Sequence, residues 1–252
     1  MGRLWCDGFP TVTVPRTETP KPVTLIVPYY DNRAFFGAQV TRWATYPEPL
    51  LKWLSVIVVD DGSPRYPAVD VLRRHHWPAC LRLFRLEVDV RWNWLAARNI
   101  GFHHAADGWC LVTDMDHVVT TDTLHAVVYS QHDPAIVYAF ARREHTGPAV
   151  TPHSASFLMT RQTFWRIGGY DEALSGHYGT DGVYRREIVK HARIHLLPEA
   201  LVRYEYVDDS STSTYKRKQP EDAAVRKLVA ARTPHWKPKV LSFPYHEEVR
   251  AA

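Results

Sequence analysis

The sequence predicts an α/β fold with an open, mostly parallel central sheet flanked by helices, and three observations support this. Short apolar runs that do not alternate with polar residues occur at 23–27, 54–59, 81–86 and 109–112, the pattern of strands covered on both faces. Stretches of helical character lie between them, over 35–53, 69–76 and 94–106, and alternating strand and helix argues for parallel strands in one sheet. Polar clusters follow several of the runs: Tyr29-Tyr30-Asp31-Asn32, Asp60-Asp61-Gly62-Ser63 and Asp114-Met115-Asp116. In open α/β sheets the carboxyl ends of the strands are where ligands sit.

Residues 1–22, rich in Pro and Thr, read as an extended N-terminal arm. Val23-Thr24-Leu25-Ile26-Val27 is a β-rich run ended by Pro28. The helical stretch 35–53 is broken near Tyr46-Pro47-Glu48-Pro49, and the apolar run after it stops at Asp60-Asp61-Gly62-Ser63-Pro64. A helix over 69–76 leads to a third strand at 81–86, and the helix over 94–106 carries Arg98 and Asn99. The strand at 109–112 runs into Asp114-Met115-Asp116-His117, and a helix is expected to start near Thr121-Asp122. The second half is less regular. Strands are expected at 136–141 and 156–160 with a loop over 142–152 between them, then a helix over 161–167 stopped by Gly168-Gly169. A helix over 181–191 has Thr180 or Asp181 at its N-cap, and the last strand is expected at 201–207. The domain is therefore expected to span 23–215, with a first half to residue 120 and a second over 121–215, followed by a basic extension over 216–252.

A chain of 252 residues accommodates one sizeable α/β domain. Its 45% hydrophobic and 23% charged residues are those of an ordinary globular protein. A net charge of +4 suits an anionic ligand without requiring nucleic acid. Three widely spaced cysteines without a Cys-x-x-Cys argue against a disulfide framework or a zinc knuckle and for a reducing compartment. No secretory h-region and no apolar run long enough to span a membrane occur, so a cytoplasmic protein is expected. Fourteen histidines include no helical His-x-x-x-His with Glu, which speaks against a zinc hydrolase.

Asp114 and Asp116, at i and i+2 after a strand, can converge on one hard cation that keeps positions open for phosphates. A turn capped by Asp114 is the simpler reading of the same triplet. The surrounding pieces change the balance. Ile26-Val27-Pro28-Tyr29-Tyr30, Val58-Val59-Asp60-Asp61-Gly62-Ser63, Ala97-Arg98-Asn99-Ile100-Gly101, Asp114-Met115-Asp116-His117, Gly168-Gly169-Tyr170-Asp171-Glu172 and Gly179-Thr180-Asp181-Gly182 occur in that order. In this combination the chain resembles a family 2 glycosyltransferase of the GT-A, nucleotide-diphospho-sugar fold.

The resemblance implies transfer of a sugar from a nucleoside diphosphate, with inversion and with Mn²⁺ or Mg²⁺ as cofactor; a UDP-sugar is the expected donor. Residues 23–120 then form the nucleotide-sugar half and 121–215 the acceptor half. Asp60 and Asp61 are expected to accept hydrogen bonds from a base or ribose, with Pro28, Tyr29 and Asp31 lining the base pocket. Arg98 is expected to face the donor or brace the carboxylates. Asp114 is placed near the ribose or sugar and Asp116 on the metal, whose role is that of a Lewis acid. The family's further ligand after the last strand, commonly His, is missing, and Glu205 or Asp208 is the substitute on offer. His117 is a further candidate neighbour of the metal. Asp181 is the expected general base, Thr180 standing where the family commonly has Glu. Gly169, Tyr170 and Asp171, with Trp94 and His153, are expected on the acceptor side.

The expected acceptors are a glycan, a protein, a lipid-linked sugar or a hydroxylated nucleic-acid (modified DNA) base. The last is suggested by the basic residues from Lys216 onward, which also suit another anionic partner. A nucleotidyltransferase of similar fold is the competing activity, weakened by the lack of a Gly-rich phosphate loop followed by Lys after the first strand.

Overall fold

The computed structural model describes residues 9–78, 80–145, 147, 150–203 and 223–250. Among the described residues, nine strands form one sheet in the order β5-β8-β6-β7-β4-β1-β2-β3-β9. Its centre is built by β1 (Val23–Tyr29), β2 (Leu54–Asp60), β3 (Leu81–Leu86) and β4 (Trp109–Val112), all paired in parallel. The chain adds β2 and β3 on one side of β1, then crosses to place β4 on the other. The carboxyl ends of β1 and β4 therefore flank a topological switch point, where such sheets form a crevice.

The helices cover both faces. On one face, Leu25, Val27 and Tyr29 of β1 pack with Phe36, Val40 and Trp43 of α1 (Arg33–Ala44). Residues of α2 (Glu48–Leu51), α3 (Ala68–Leu72) and α5 (Thr121–Val128) join this cluster. On the other face, Ile26 meets Ala97 and Ile100 of α4 (Trp94–His104). Residues of α6 (Arg161–Ile167), α7 (Asp181–His191) and α8 (Ala223–Ala230) complete that layer. Burial of both faces is why these strands carry no polar alternation. Gly101 brings α4 down onto β1: a Cβ there would lie 2.3 Å from Ile26 Cγ2. This close approach sets Arg98 and Asn99 over the switch point.

Beyond β4 the sheet is mixed. β7 (Val150–Thr160) runs antiparallel to β4 and to β6 (Ile136–Glu144). β6 is parallel to β8 (Arg193–Arg203), which pairs antiparallel with the two-residue β5 (His117–Val118). The segment expected as a loop over 142–152 is thus largely strand. Its charged residues Arg142, Arg143 and Glu144 carry β6 past the apolar core, where hydrophobic periodicity no longer marks a strand. The strand expected at 201–207 is β8 and starts at Arg193, and the part of it expected after 203 lies outside the described residues.

Of the expected arm over 1–22, residues 1–8 lie outside the described residues and the rest is tied down: Val12 N donates to Leu196 O and Lys21 N to Val128 O. The C-terminal end differs from a free basic extension. Among the described residues, 223–250 fold back on the domain, and β9 (Tyr245–Val249) adds antiparallel to β3 at the sheet edge. α6 ends as its sequence dictates, with Gly168 at φ 112°, a left-handed cap that glycine adopts without strain. Among the described residues no helix is long and apolar enough to cross a membrane.

Candidate active site

The predicted carboxylates do gather at the carboxyl ends of the central strands, but with different jobs. Asp31, just past β1, takes hydrogen bonds from the backbone N–H groups of Arg65 and Tyr66 at 3.0 and 2.8 Å and from Arg65 Nε at 3.1 Å. Asp60 is fully buried and accepts from Ser63 N, Ala68 N and Arg85 Nη1. Both carboxylates thereby brace the segment after β2. Tyr29 likewise faces the core, its hydroxyl donating to Tyr66 O, while its carbonyl accepts from Asp61 N at 2.8 Å. Pro28, half-buried, continues the β1–β2 pairing opposite Val59.

Asp61 is different. It is 4% exposed, accepts from the backbone N–H of Asn93, and its Oδ1 has no partner. Burial, then the charges of Asp60 and Asp89, push its carboxyl well above the ordinary range. Asn93 is also fully buried, with its Oδ1 engaged by Ser175 and its Nδ2 unpaired. A buried acceptor and a buried donor on adjoining residues are thus left unmatched, which is uncommon in folded proteins. The sequence reading did not single out Asn93; the signal available was its position directly before a helix, where Asn is favoured as a cap, yet its side chain makes no cap bond.

At the end of β4, Arg98 Nη2 donates to Asp114 Oδ1, and Arg98 Nη1 donates to the Tyr170 hydroxyl at 3.0 Å. The guanidinium also lies 4.6 Å over the Trp94 ring. Arg98 thus braces Asp114, not the Asp60 and Asp61 carboxylates it was expected to brace if it did not face the donor. Burial raises Asp114, Arg98 opposes it, and the negative charges of Asp116 and Asp181 add to the rise. Asp116 accepts from His117 Nδ1 at 2.6 Å and from Arg203 Nε at 3.2 Å. Burial works to raise its pKa, but the His117 bond and the positive charge around it win and hold it well below the carboxylate range.

Asp181 opens α7 with its side chain 32% exposed and Arg185 at 3.4 Å. Its negative charge adds to the rise at Asp114, Arg98 and Tyr170. Thr180 before it is buried with an unpaired hydroxyl and gives the helix no side-chain cap.

The expected acceptor residues divide. His153, on β7, reaches the cleft: its Nε2 is 3.6 Å from Asp114 Oδ2 and its ring centroid 3.9 Å from that of His117. Burial, then His117, lowers the His153 pKa well below its usual value. Trp94 stays near through Arg98. Tyr170 is fully buried, and Gly169 at φ 71° packs between Trp165, Asn99 and Val240. Asp171 accepts from Lys239 N and Arg232 Nη2, so its carboxylate holds the C-terminal segment. Glu205 lies outside the described residues.

Among the described residues, one metal-capable cluster stands out: Asp114, His117 and His153, whose ligand atoms lie within 4.8 Å of one another. His117 Nε2 is buried and unpartnered. These donors fit a divalent cation with some affinity for nitrogen, such as Mn²⁺, better than Mg²⁺.

A parallel α/β core with carboxylates just past the ends of its central strands defines a class of open α/β fold in which ligands sit at those ends. Residues 24–193 match the family described as glycosyl transferase family 2, and the chain belongs to that family. No curated protein sequence matches the chain. Similar solved structures include a mannosyltransferase, PcManGT from Pyrobaculum calidifontis, in complex with GDP-Man and Mn²⁺; it is 21% identical with a TM-score of 0.58, covering 81% of this chain and 62% of that one. Another is S. aureus TarS 1–349 in complex with UDP-GlcNAc, at 15% identity and a TM-score of 0.58, covering 76% and 61%. This chain therefore spans only about three-fifths of the lengths it matches. At such identities the likeness is one of fold, and that fold is the GT-A arrangement expected from the sequence.

Proposed function

We propose that the chain transfers a sugar, with inversion, from a nucleoside-diphosphate sugar to an acceptor hydroxyl, with a UDP-sugar as donor. What supports this is the unpaired Asp61 acceptor just past β2, the Arg98-held Asp114 just past β4, and the α7 carboxylate Asp181, whose charge acts on Asp114. The GDP-Man and UDP-GlcNAc complexes of the similar folds support a donor of this class.

In this reading Asp61 Oδ1 accepts from a base N–H while Asn93 Nδ2 donates to the neighbouring carbonyl, which satisfies both buried groups at once. Asp114, fixed by Arg98, orients the ribose or sugar. Asp181 takes the proton of the acceptor hydroxyl as its oxygen bonds to the anomeric carbon. The bond from that carbon to the diphosphate breaks, and the nucleoside diphosphate departs. A divalent cation bound beside Asp114 would supply charge neutralisation for the departing diphosphate.

The test is release of nucleoside diphosphate from a panel of UDP- and GDP-sugars, with simple sugars, proteins, lipid-linked sugars and hydroxylated DNA bases as acceptors. Diphosphate release that falls sharply in Asp181→Asn supports the reading. Pyrophosphate release instead would make the chain a nucleotidyltransferase.

A further inference from the structure

We infer that the cation is held by Asp114, His117 and His153, with Asp116 orienting His117 instead of binding the metal. The inference rests on the proposed cation-assisted transfer and names which side chains of that site bind. Two imidazoles and one carboxylate, from the segment after β4 and from β7, bring ligand atoms within 4.8 Å of one another.

Each imidazole is already oriented as a ligand would be. His117 Nδ1 bonds Asp116 Oδ1 at 2.6 Å, and His153 Nδ1 bonds Ser156 Oγ at 2.6 Å. Ser156 Oγ in turn meets Thr113 Oγ1 at 2.7 Å. With the protons on Nδ1, the Nε2 lone pairs are free, and metal-binding histidines are commonly held in this way by a carboxylate or hydroxyl behind them. His117 is 2% exposed and its Nε2 has no partner, an unmet buried acceptor that a cation would satisfy. His153 Nε2 and Asp114 Oδ2 are 3.6 Å apart. Ligands about 2.1 Å from a shared ion stand about 3–3.5 Å from one another, so donors that lie within 4.8 Å of one another draw together on binding. Three protein ligands also leave positions open for the two phosphates.

Asp116, by contrast, has both carboxylate oxygens engaged, whereas Arg98 occupies only Oδ1 of Asp114. Arg203 Nε sits 3.2 Å from its Oδ2 and His117 occupies its Oδ1. A cation placed on Asp116 would face a guanidinium that is itself only 5% exposed.

The experiment uses the full chain, stripped with EDTA and without donor or acceptor, so it reads the metal site apart from transfer. Mn²⁺ is titrated by EPR, and pulsed EPR reads nitrogen coupling to the bound ion. Expected are nitrogen couplings from two imidazoles in the wild type. His117→Ala and His153→Ala should each lose one coupling and weaken binding at least tenfold. Asp116→Asn should weaken binding about 10–100-fold yet keep both nitrogen couplings, which separates positioning from ligation. Thermal melts check folding, and His→Gln variants replace any Ala variant that melts early. Mn²⁺ bound without nitrogen coupling, together with its loss in Asp116→Asn, would overturn the assignment. So would the absence of Mn²⁺ binding by the wild type at millimolar metal, whereas failure of the transferase reading shows separately, as no nucleoside diphosphate released from any donor.

Discussion

Arg98 presents Asp114 to the cleft from inside the protein: the guanidinium is 1% exposed and the carboxylate it holds is 40% exposed. A buried cation thus fixes a half-exposed anion, while its other amino group holds the Tyr170 hydroxyl and its face lies on Trp94. A lysine has one charged point where arginine has a planar fork, so Arg98→Lys cannot keep both bonds. Breaking a fully buried pair costs about 3–5 kcal/mol, and the exposure of Asp114 puts this one at the lower end. Arg98→Lys should lower the melting temperature measurably and reduce turnover tenfold or more, read by thermal denaturation and by diphosphate release. Unchanged turnover would remove Arg98 from the positioning of Asp114.

Asp181→Asn separates chemistry from stability. The side chain is 32% exposed, and its ion pair with Arg185 at 3.4 Å spans one helical turn. Such exposed pairs contribute about 0–1 kcal/mol, so the melting temperature should barely move. Loss of a general base costs about 10²–10⁴-fold in rate. The check is kcat at saturating donor alongside a thermal melt; normal turnover in a folded variant would assign Asp181 to the helix start alone.

The sequence made the parallel core legible because both faces of β1 to β4 are covered, which writes them as continuous apolar runs such as Leu54-Ser55-Val56-Ile57-Val58-Val59. It made the polar strand ends legible for the same reason: Asp60, Asp61 and Asp114 interrupt those runs abruptly. Which of two adjacent carboxylates stays free was not legible. Asp60 finds donors 3 and 8 residues on, at Ser63 and Ala68, whereas Asp61 Oδ1 finds none. The edge strand β9 was also hidden. Tyr245–Val249 carries His246, Glu247 and Glu248 among its five residues, a composition shared with exposed tails, and only pairing with β3 makes it a strand. The Asp116–Arg203 contact joins residues 87 apart in sequence, and no local pattern announces it.

Glu172 is the fastening of the C-terminal segment. Buried and accepting from Asn99 Nδ2, Leu241 N, Ser242 N and Ser242 Oγ, it ties residues after 240 to the helix that carries Arg98. Glu172→Gln sets an amide donor against donors and removes the charge, and hydrogen bonds to charged groups contribute about 1.5–3 kcal/mol each. The variant should lose at least about 3 kcal/mol in urea denaturation, and limited proteolysis should cut between 230 and 245 before the rest of the domain. Cleavage no faster than in the wild type would mean that β9 holds the segment unaided.

Asp61 sets stability against donor binding. Its carboxyl is raised by burial and by Asp60 and Asp89, so in the window above the ordinary carboxylate value the folded state holds a proton that the unfolded chain has released. Stability therefore falls as pH rises through that window, and the cost is fully present once pH exceeds the raised value. Asp61→Asn removes the ionisation and should melt higher than the wild type at neutral pH, with the advantage shrinking as pH is lowered toward 4. The same change replaces an acceptor that a base N–H needs, so nucleoside diphosphate affinity should drop about tenfold or more, the loss of about 1.5–3 kcal/mol for a charged hydrogen bond. In the wild type, affinity should weaken as pH falls through the raised value, because protonated Asp61 accepts less well; in Asp61→Asn that dependence should flatten. Calorimetric titration of UDP between pH 4 and 8, paired with thermal melts over the same range, measures both. An Asn variant that binds as tightly as the wild type would leave the unpaired Oδ1 without a role in holding the donor.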